Sequence, residues 1–518
     1  MSRAFLKSTS VVGLTTLLSR ITGMARDVAQ ANLFGGGPVA DAFLVAYKIP
    51  NFLRRLFAEG AFSQSFVPVV SEYKHRKDHR EVEVLINGTA GTLGLVLFVI
   101  TLIGVIGAPV IIWAFAPGFS HDGGRDELAV EMLRLTFPYL FFISLTALGS
   151  GVLNSYGSFG PPAFTQVLSN LVMIVAAVWI APMFPNPGVV LAAAVFISGL
   201  VQVLYQIPFL LRLRLLGWPR WRWDHEGVRK VSRLMVPGIL GSSMAQISLL
   251  LDTQIASFLA TGSVSWMYIA DRLMEFPLGV FSIALATVIL PGLSGHHAAQ
   301  STEKFSATLD WALKLVTIVV LPAALALFVL AGPLTATFFG HGRFSHHDVI
   351  MSSYALMAYA FGLMGFSFVK VLAPGYFARQ DTRTPVRVGL MSLGVNIGLN
   401  LTVVAPLAYF DVVKAPHAML ALSTGIGACV NSILLYRGLR RREVLKPSAG
   451  WNALLARALL ASLVMAGVLW WLAGDLRGWF AMHTGERVVR TGLLVTAGAL
   501  VYFAALYASG MRPRHVRH

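Results

Sequence analysis

Apolar stretches of about twenty residues, each long enough to cross the hydrocarbon core of a bilayer as a helix, recur along the whole of this chain. Leu93–Ala114, Val167–Met183, Val189–Leu211, Leu313–Ala331 and Ala453–Ala473 are the clearest. No stretch of soluble-domain composition separates them. Only 13% of the residues are charged and 56% are hydrophobic, and a chain this apolar cannot cover a water-facing surface with polar groups. The expected fold is therefore an all-α polytopic membrane protein forming one membrane domain. The single cysteine, Cys429, excludes an intrachain disulfide and argues against cysteine-based metal or redox chemistry. Arg3 and Lys7 ahead of an apolar run imitate a secretory signal, but no A-x-A pattern follows and Arg20, Arg26 and Asp27 interrupt the run. The first segment is expected to be a retained helix.

Hydropathy places spans at 8–33, 40–71, 86–116, 127–155, 162–183, 188–212, 232–260, 263–295, 307–331, 347–378, 385–410, 415–437, 451–473 and 488–509, about fourteen in all. Counting Lys and Arg in alternate loops gives about 25 on one side and about 6 on the other. The basic side includes Lys74 to Arg80, Arg212 to Arg233, Arg437 to Lys446 and the tail Arg512 to Arg517. By the positive-inside rule both termini face the cytoplasm of a multi-pass inner-membrane protein. Anionic headgroups account for most of the net charge of +17, and no soluble module organises it for nucleic acid.

The chain also matches itself at an offset of about 223–225 residues: Asp27 with Asp252, Pro68-x-x-Ser71 with Pro291-x-x-Ser294, Pro109 with Pro333, Phe119-Ser120 with Phe344-Ser345, and Pro162 with Pro385. One offset spans six helices, so the halves share one orientation about an axis along the membrane normal. The expected architecture is two pseudo-symmetric six-helix lobes, 1–223 and 224–446, plus two C-terminal helices in 447–518. That is a transporter plan, with substrate held between lobes that rock.

Ionisable groups inside spans cost about 2.5–3.5 kcal/mol each on insertion scales, so they need partners or a wet cavity. Helix one carries Arg20, Arg26 and Asp27; helix two carries Asp41, Lys48, Arg54, Arg55 and Glu59. Arg20, Gly23 and Asp27 share a helical face. Asp41, Lys48, Arg55 and Glu59 form a second stripe if the helix continues past Pro50-Asn51, where proline removes a backbone bond. Asp271, Arg272 and Glu275 follow in helix eight, with i,i+3 and i,i+4 spacing, and Lys370 stands alone in helix ten. Internal ion pairing accounts for the carboxylates as well as a binding role does. The cations exceed them, and arginine's planar fork suits phosphate or pyrophosphate.

Other constellations carry less. His341, His346 and His347 sit in an external loop, and Trp218, Trp221 and Trp223 form an interfacial belt. No G-x-x-x-x-G-K-[ST] motif is present, so no cofactor is expected; energy comes from a coupling cation, the membrane potential or the substrate gradient. Asp252 and Asp381 are the acidic candidates for a coupling cation. Pairing of Asp381 with Arg379 or Arg383 is the simpler account of that residue.

Ser19-Arg20-Ile21-Thr22-Gly23-Met24-Ala25-Arg26-Asp27 resembles the opening of the MurJ (MviN) family of lipid II flippases. So do Ala40 to Tyr73, with Pro50-Asn51-Phe52-Leu53-Arg54-Arg55-Leu56-Phe57-Ala58-Glu59-Gly60-Ala61-Phe62-Ser63, the run Asp271 to Pro277, and Lys370 to Pro385, with Ala378-Arg379-Gln380-Asp381-Thr382-Arg383-Thr384-Pro385. The resemblance covers essentially the whole chain. It implies the multidrug/oligosaccharidyl-lipid/polysaccharide exporter fold, with two added helices lining a groove for a polyprenyl tail. The substrate it implies is lipid II, undecaprenyl pyrophosphate bearing the peptidoglycan disaccharide-pentapeptide. Partners would be membrane lipids and the cell-wall synthesis machinery. Functional roles carry over to Arg20, Arg26, Asp41, Arg54, Arg272 and Glu275. In the expected alternating-access cycle Arg20, Arg26, Arg54 and Arg272 hold the pyrophosphate, while Glu275 and Asp41 pair with them when the site is empty. A flippase for another polyprenyl-linked glycan is the alternative. A cationic-drug antiporter would need an acidic cavity. A membrane-embedded glycosyltransferase would need catalytic carboxylates and a sizeable external loop, and neither appears.

Overall fold

A computed structural model describes residues 3–55, 62–121, 124–283, 285, 289–290, 292–295, 299 and 301–511, and every regular element among them is helical. The chain forms two compact units, Met1–Val264 and Ser265–His518. These packing units divide the chain elsewhere than the lobe boundaries expected at 223/224 and 446/447 from the internal repeat.

The first unit contains α1 (Arg3–Phe34), α2 (Pro38–Arg54), α3 (Ser63–Arg76), α4 (His79–Ile106), α5 (Ala108–Phe115), α6 (Arg125–Thr136), α7 (Tyr139–Ser155), α8 (Gly160–Val175), α9 (Pro187–Arg212) and α10 (Glu226–Ala256). Proline opens α2 in its first turn, where its missing N–H is not needed. Pro50 lies inside α2 without ending it, and the helix runs on to Arg54. The sequence left continuation past Pro50-Asn51 open, and the helix continues there; Glu59 lies outside the described residues. At one end a core of Phe66, Val70, Leu85, Val152 and Val228 joins α3, α4, α7 and α10. The loop before α10 lies along α4: Arg220 N–H donates to Asn87 O at 3.1 Å and Gly217 N–H to Asn87 Oδ1 at 3.0 Å. Gly91 is required there, since a Cβ would sit 2.3 Å from the Arg220 carbonyl oxygen. At the other end Gly118 N–H donates to Ser257 Oγ and Gln254 to Ala114 O, fastening the end of α10.

The second unit contains most of α11 (Ser263–Pro277), then α12 (Thr302–Val329), α13 (Ala331–Phe339), α14 (His346–Phe377), α15 (Arg383–Leu399), α16 (Ala405–Tyr409), α17 (Pro416–Arg441), α18 (Trp451–Ala473), α19 (Leu476–Ala481) and α20 (Thr484–Ala508). Helix α14 packs along α12 and α17. The approach to α17 is close because small residues meet: a Cβ on Gly362 would fall 2.4 Å from the Gly425 Cα, the kind of backbone contact that membrane helices use for packing. The C-terminal pair α18 and α20 pack on each other, and α18 also packs on α12. Arg487 of α20 is buried and donates to the carbonyls of Ala336, Gly340, Phe480 and Met482.

Ten helical segments among the described residues are long and apolar enough to span a membrane. They coincide with the expected spans three to six and nine to fourteen. Spans one, two, seven and eight, the opening pair of each half, do not meet that measure over the described residues; these include the charge-bearing ones. The repeat is visible in the backbone itself. A π-helical segment follows α8 at Ala176–Ile180 and another follows α15 at Asn400–Val404, 224 residues on by subtraction of the first positions. The short helices α5 and α13 likewise begin at Ala108 and Ala331.

Candidate substrate-binding site

The charged groups of α1 and α2 separate into buried, compensated sets and half-exposed ones. Arg26 and Asp27 are both buried. Neighbours in a helix do not face each other, but the long guanidinium turns back so that Nη2 meets Asp27 Oδ1 at 2.7 Å and Nε meets it at 3.0 Å. Its Nη1 donates to Asn170 Oδ1 of α8 at 3.2 Å. The Asn170 amide in turn donates to Ser19 O and Thr22 Oγ1, each at 3.1 Å. Every polar edge of that amide is used, which ties α8 to α1.

Asp41 is fully buried at the start of α2. Its Oδ2 accepts from Gly262 N–H at 2.7 Å and lies 3.6 Å from Arg125 Nη1 of α6; the Arg125 guanidinium also lies over the Phe119 ring. Arg125, which the sequence did not single out, is thus an ion-pair partner of Asp41. Arg125 looks in sequence like a solvated charge at a helix start, which is why it was missed. Asn170 and Gly262 gave no signal at all. Asp27 and Asp41 are thus engaged by Arg26 and Arg125.

The remaining candidate cations of α1 and α2 are exposed or half-buried. Arg20 is exposed and makes no hydrogen bond or ion pair among the described residues. Lys48 is half-buried and donates to Thr253 Oγ1 at 3.2 Å. Arg54 Nε donates to Asn51 Oδ1 at 2.8 Å, and Asn51, Arg54 and Arg55 are all half-buried at the end of α2. Asp252 is buried on α10, beside Thr253.

In the second unit Arg272 and Glu275 form the ion pair that their spacing predicts, at 3.0 Å, with side chains 31% and 44% exposed. Lys370 is exposed on α14 and makes no hydrogen bond or ion pair among the described residues. Asp381 sits between α14 and α15. It accepts from Thr384 N–H at 3.0 Å and Thr384 Oγ1 at 2.7 Å, and pairs with Arg442 at 2.6 Å. Burial alone would raise its pKa, but the Thr384 bonds and Arg442 hold it down to about 2. It is a loop anchor, with Arg442 in the place expected of Arg379 or Arg383. A buried amide group also escaped sequence analysis: Asn400 donates to Asn396 at 2.7 Å, Asn396 to Thr424 at 3.2 Å, and Ser423 bonds Asn400. The described residues hold no cluster of three or more His, Cys, Asp or Glu able to take a metal.

This arrangement offers cations, and the amide of Asn51, at exposed or half-buried positions on largely apolar helices. A family described as "Lipid II flippase MurJ" matches residues 30–489. A protein of Burkholderia cenocepacia named "Lipid II flippase MurJ" is 45% identical, over 95% of this chain and 94% of its own length. The chain belongs to the MurJ lipid II flippase family. A Vibrio cholerae protein named "Probable lipid II flippase MurJ" is 43% identical, over all of this chain and 98% of its own. A solved structure described as "Lipid II flippase MurJ, inward closed conformation" superposes with a TM-score of 0.78 at 25% identity, covering 95% of this chain and 97% of that one. An inward-facing multidrug resistance transporter of the MATE family shares the fold alone, at a TM-score of 0.67 and 14% identity over 85% of this chain and 98% of its own. The protein is thus a multi-pass membrane transporter of the MurJ family rather than an enzyme, and its fold is that of the wider exporter superfamily.

Proposed function

We propose that this protein carries lipid II, the undecaprenyl-pyrophosphate-linked peptidoglycan precursor, from the cytoplasmic to the periplasmic leaflet of the inner membrane. The observation that carries the reading is the match of the whole chain to relatives named for that activity, at 43% and 45% identity. Flipping requires no bond to be made or broken. What it requires is a polar site for a pyrophosphate and sugars on a scaffold whose outer surface suits lipid. The accessible cations Arg20, Lys48, Arg54 and Arg55 in the first unit, and Arg272 in the second, supply charge for the pyrophosphate. Arg54 is the best placed, because Asn51 holds its Nε and the residue stays half-buried at the end of α2, and a guanidinium suits phosphate. Arg26, Asp27 and Asp41 act by holding α1 and α2, and Glu275 competes with the substrate for Arg272. Lys370 and, outside the described residues, Glu59 complete the proposed set.

The cycle is alternating access, driven by a coupling cation or the membrane potential. Asp252 is the acidic candidate for the cation, since Asp381 is committed to Thr384 and Arg442. Both termini lie on the cytoplasmic side, where the cell-wall synthesis machinery would deliver substrate.

Depletion of the protein in its host, with lipid II measured on each leaflet by an external cleaving agent, tests the reading. Loss of the outer pool with inner accumulation is expected; two normal pools with another surface glycan lost would move the substrate to that glycan. In the same assay Arg54→Ala should abolish complementation at normal protein level, and normal growth of that strain would remove Arg54 from the site.

A further inference from the structure

Helices α17 and α18 are consecutive in the chain but pack on different neighbours, α17 along α14 and α18 along α12. The crevice left between them has a volume of about 210 Å3 and is lined by Leu313, Phe368, Leu372, Ile433, Tyr436 and Trp451. Leu313 and Leu372 form its buried floor, and Ile433, 47% exposed, stands at its open side. Ile433, Tyr436 and Arg440 follow at i, i+3 and i+7, so the apolar wall of α17 runs directly into a guanidinium. The Arg440 Cζ lies 6.0 Å from the centre of the Tyr436 ring. On the opposite wall Trp451 Nε1 donates to Asp310 at 2.6 Å, which holds the indole with its ring toward the crevice.

The segment that continues from the α17 wall is strongly basic. Residues 437–446 hold Arg437, Arg440, Arg441, Arg442 and Lys446 against the single carboxylate of Glu443. Arg442 is committed to Asp381. The other four make no ion pair among the described residues, and Arg437, Arg440 and Lys446 are exposed. Three aromatic rings and an aliphatic floor, with cations on the adjoining segment that make no ion pair among the described residues, are the parts of a lipid site. The apolar cleft takes hydrocarbon, the rings sit at headgroup depth and the cations meet phosphate.

We propose that this crevice binds an anionic phospholipid of the adjoining leaflet. A segment of one acyl chain lies between Ile433 and Trp451, and the phosphate is held by Arg440 and Lys446. The occupant is a resident lipid, distinct from the lipid-linked glycan that the protein is proposed to carry. Its consequence is structural: it fills the seam by which the C-terminal helix pair joins the rest of the second unit. The charge balance selects an anionic headgroup, because a zwitterionic one brings its own cation to a segment that already has an excess.

The test is native mass spectrometry of the full-length protein in detergent with equal amounts of phosphatidylglycerol and phosphatidylethanolamine. A several-fold excess of retained phosphatidylglycerol is expected for the unaltered protein. In the double variant Arg440→Gln, Lys446→Gln the preference should fall to near parity with unchanged elution on size exclusion, because neither side chain makes an ion pair. Ile433→Trp, which fills the crevice, should lower retention of both lipids. Parity in the unaltered protein, or an unchanged preference in the double variant, would overturn the proposal. So would one-for-one displacement of the phosphatidylglycerol by undecaprenyl pyrophosphate, which would assign the crevice to the carried lipid; persistence of phosphatidylglycerol under that challenge supports a separate site.

Discussion

Helices α8 and α15 stand at corresponding places in the two halves, each running into a π-helical segment, yet their buried amides have different partners. In α8, Asn170 accepts from the Arg26 guanidinium while donating to α1. Asn396 of α15 and Asn400, which opens its π-helical segment, bond each other and the hydroxyls of Ser423 and Thr424 on α17. A hydrogen bond to a charged group is worth about 1.5–3 kcal/mol, whereas neutral intramembrane side-chain bonds average about 0.6 kcal/mol. One duplicated scaffold thus holds an ionic joint in its first half and an amide–hydroxyl joint in its second. The first half is therefore the more sensitive to loss of a single polar group.

The largest effect should follow from removing the counter-charge of that ionic joint. Asp27→Asn leaves the buried Arg26 without its carboxylate, and breaking a buried pair costs about 3–5 kcal/mol. Thermal unfolding in detergent, followed by the monodisperse fraction on size exclusion, should show a large loss that Arg26→Gln in the same chain partly restores. A neutral single variant would mean that the pair is not held as seen here. Asp41→Asn should behave in the same way through Arg125.

The two amides compared directly give an intermediate effect. Asn170→Ala should destabilise by about 1.5–3 kcal/mol, and Asn396→Ala by about 0.6 kcal/mol, in the same unfolding assay. Equal losses would erase the distinction between the halves and point to a charge bonded to α15. The half-exposed pair of the second unit should matter less for stability: Arg272→Gln should cost at most about 1 kcal/mol while stopping growth in a complementation assay.

The smallest effect is set by pH at the rim of the second unit. Asp381 has its pKa lowered from 3.8 to about 2, so its pairing stabilises the folded state fully above about pH 4 and is lost as pH falls toward 2. Its partner Arg442 is 47% exposed, so solvent screening limits the contribution to under about 1 kcal/mol. Unfolding of the unaltered protein and of Asp381→Asn should converge at the acid end and separate slightly above pH 4. A constant difference across that range would deny the role of Arg442.

Several of these partners lie far apart in sequence, and that sets what was legible. The i,i+3 pair Arg272–Glu275 was readable because a helix has a fixed repeat. Asp41–Arg125 was not, because 84 positions separate its members and only tertiary packing joins them. Asn170 was silent for the same reason: an amide in an apolar stretch has no pattern until its partner is known. The continuation of α2 through Pro50 was also not readable, since proline at that depth is compatible with either outcome when neighbouring helices support the backbone.

The sequence by itself determined that this is a helical membrane protein, that its halves repeat, and that cations outnumber carboxylates in its opening helices. Those properties follow from composition, periodicity and the cost of placing charge in hydrocarbon, all of which are local. Tertiary structure alone decided which charges are spent on holding helices together and which remain accessible. It matched Arg26 to Asp27 and Asn170, and Asp41 to Arg125 and Gly262, and it left Arg20 exposed and Arg54 half-buried beside Asn51. Whether a buried charge is compensated depends on atoms within a few ångströms, and chain order does not encode such distances between helices.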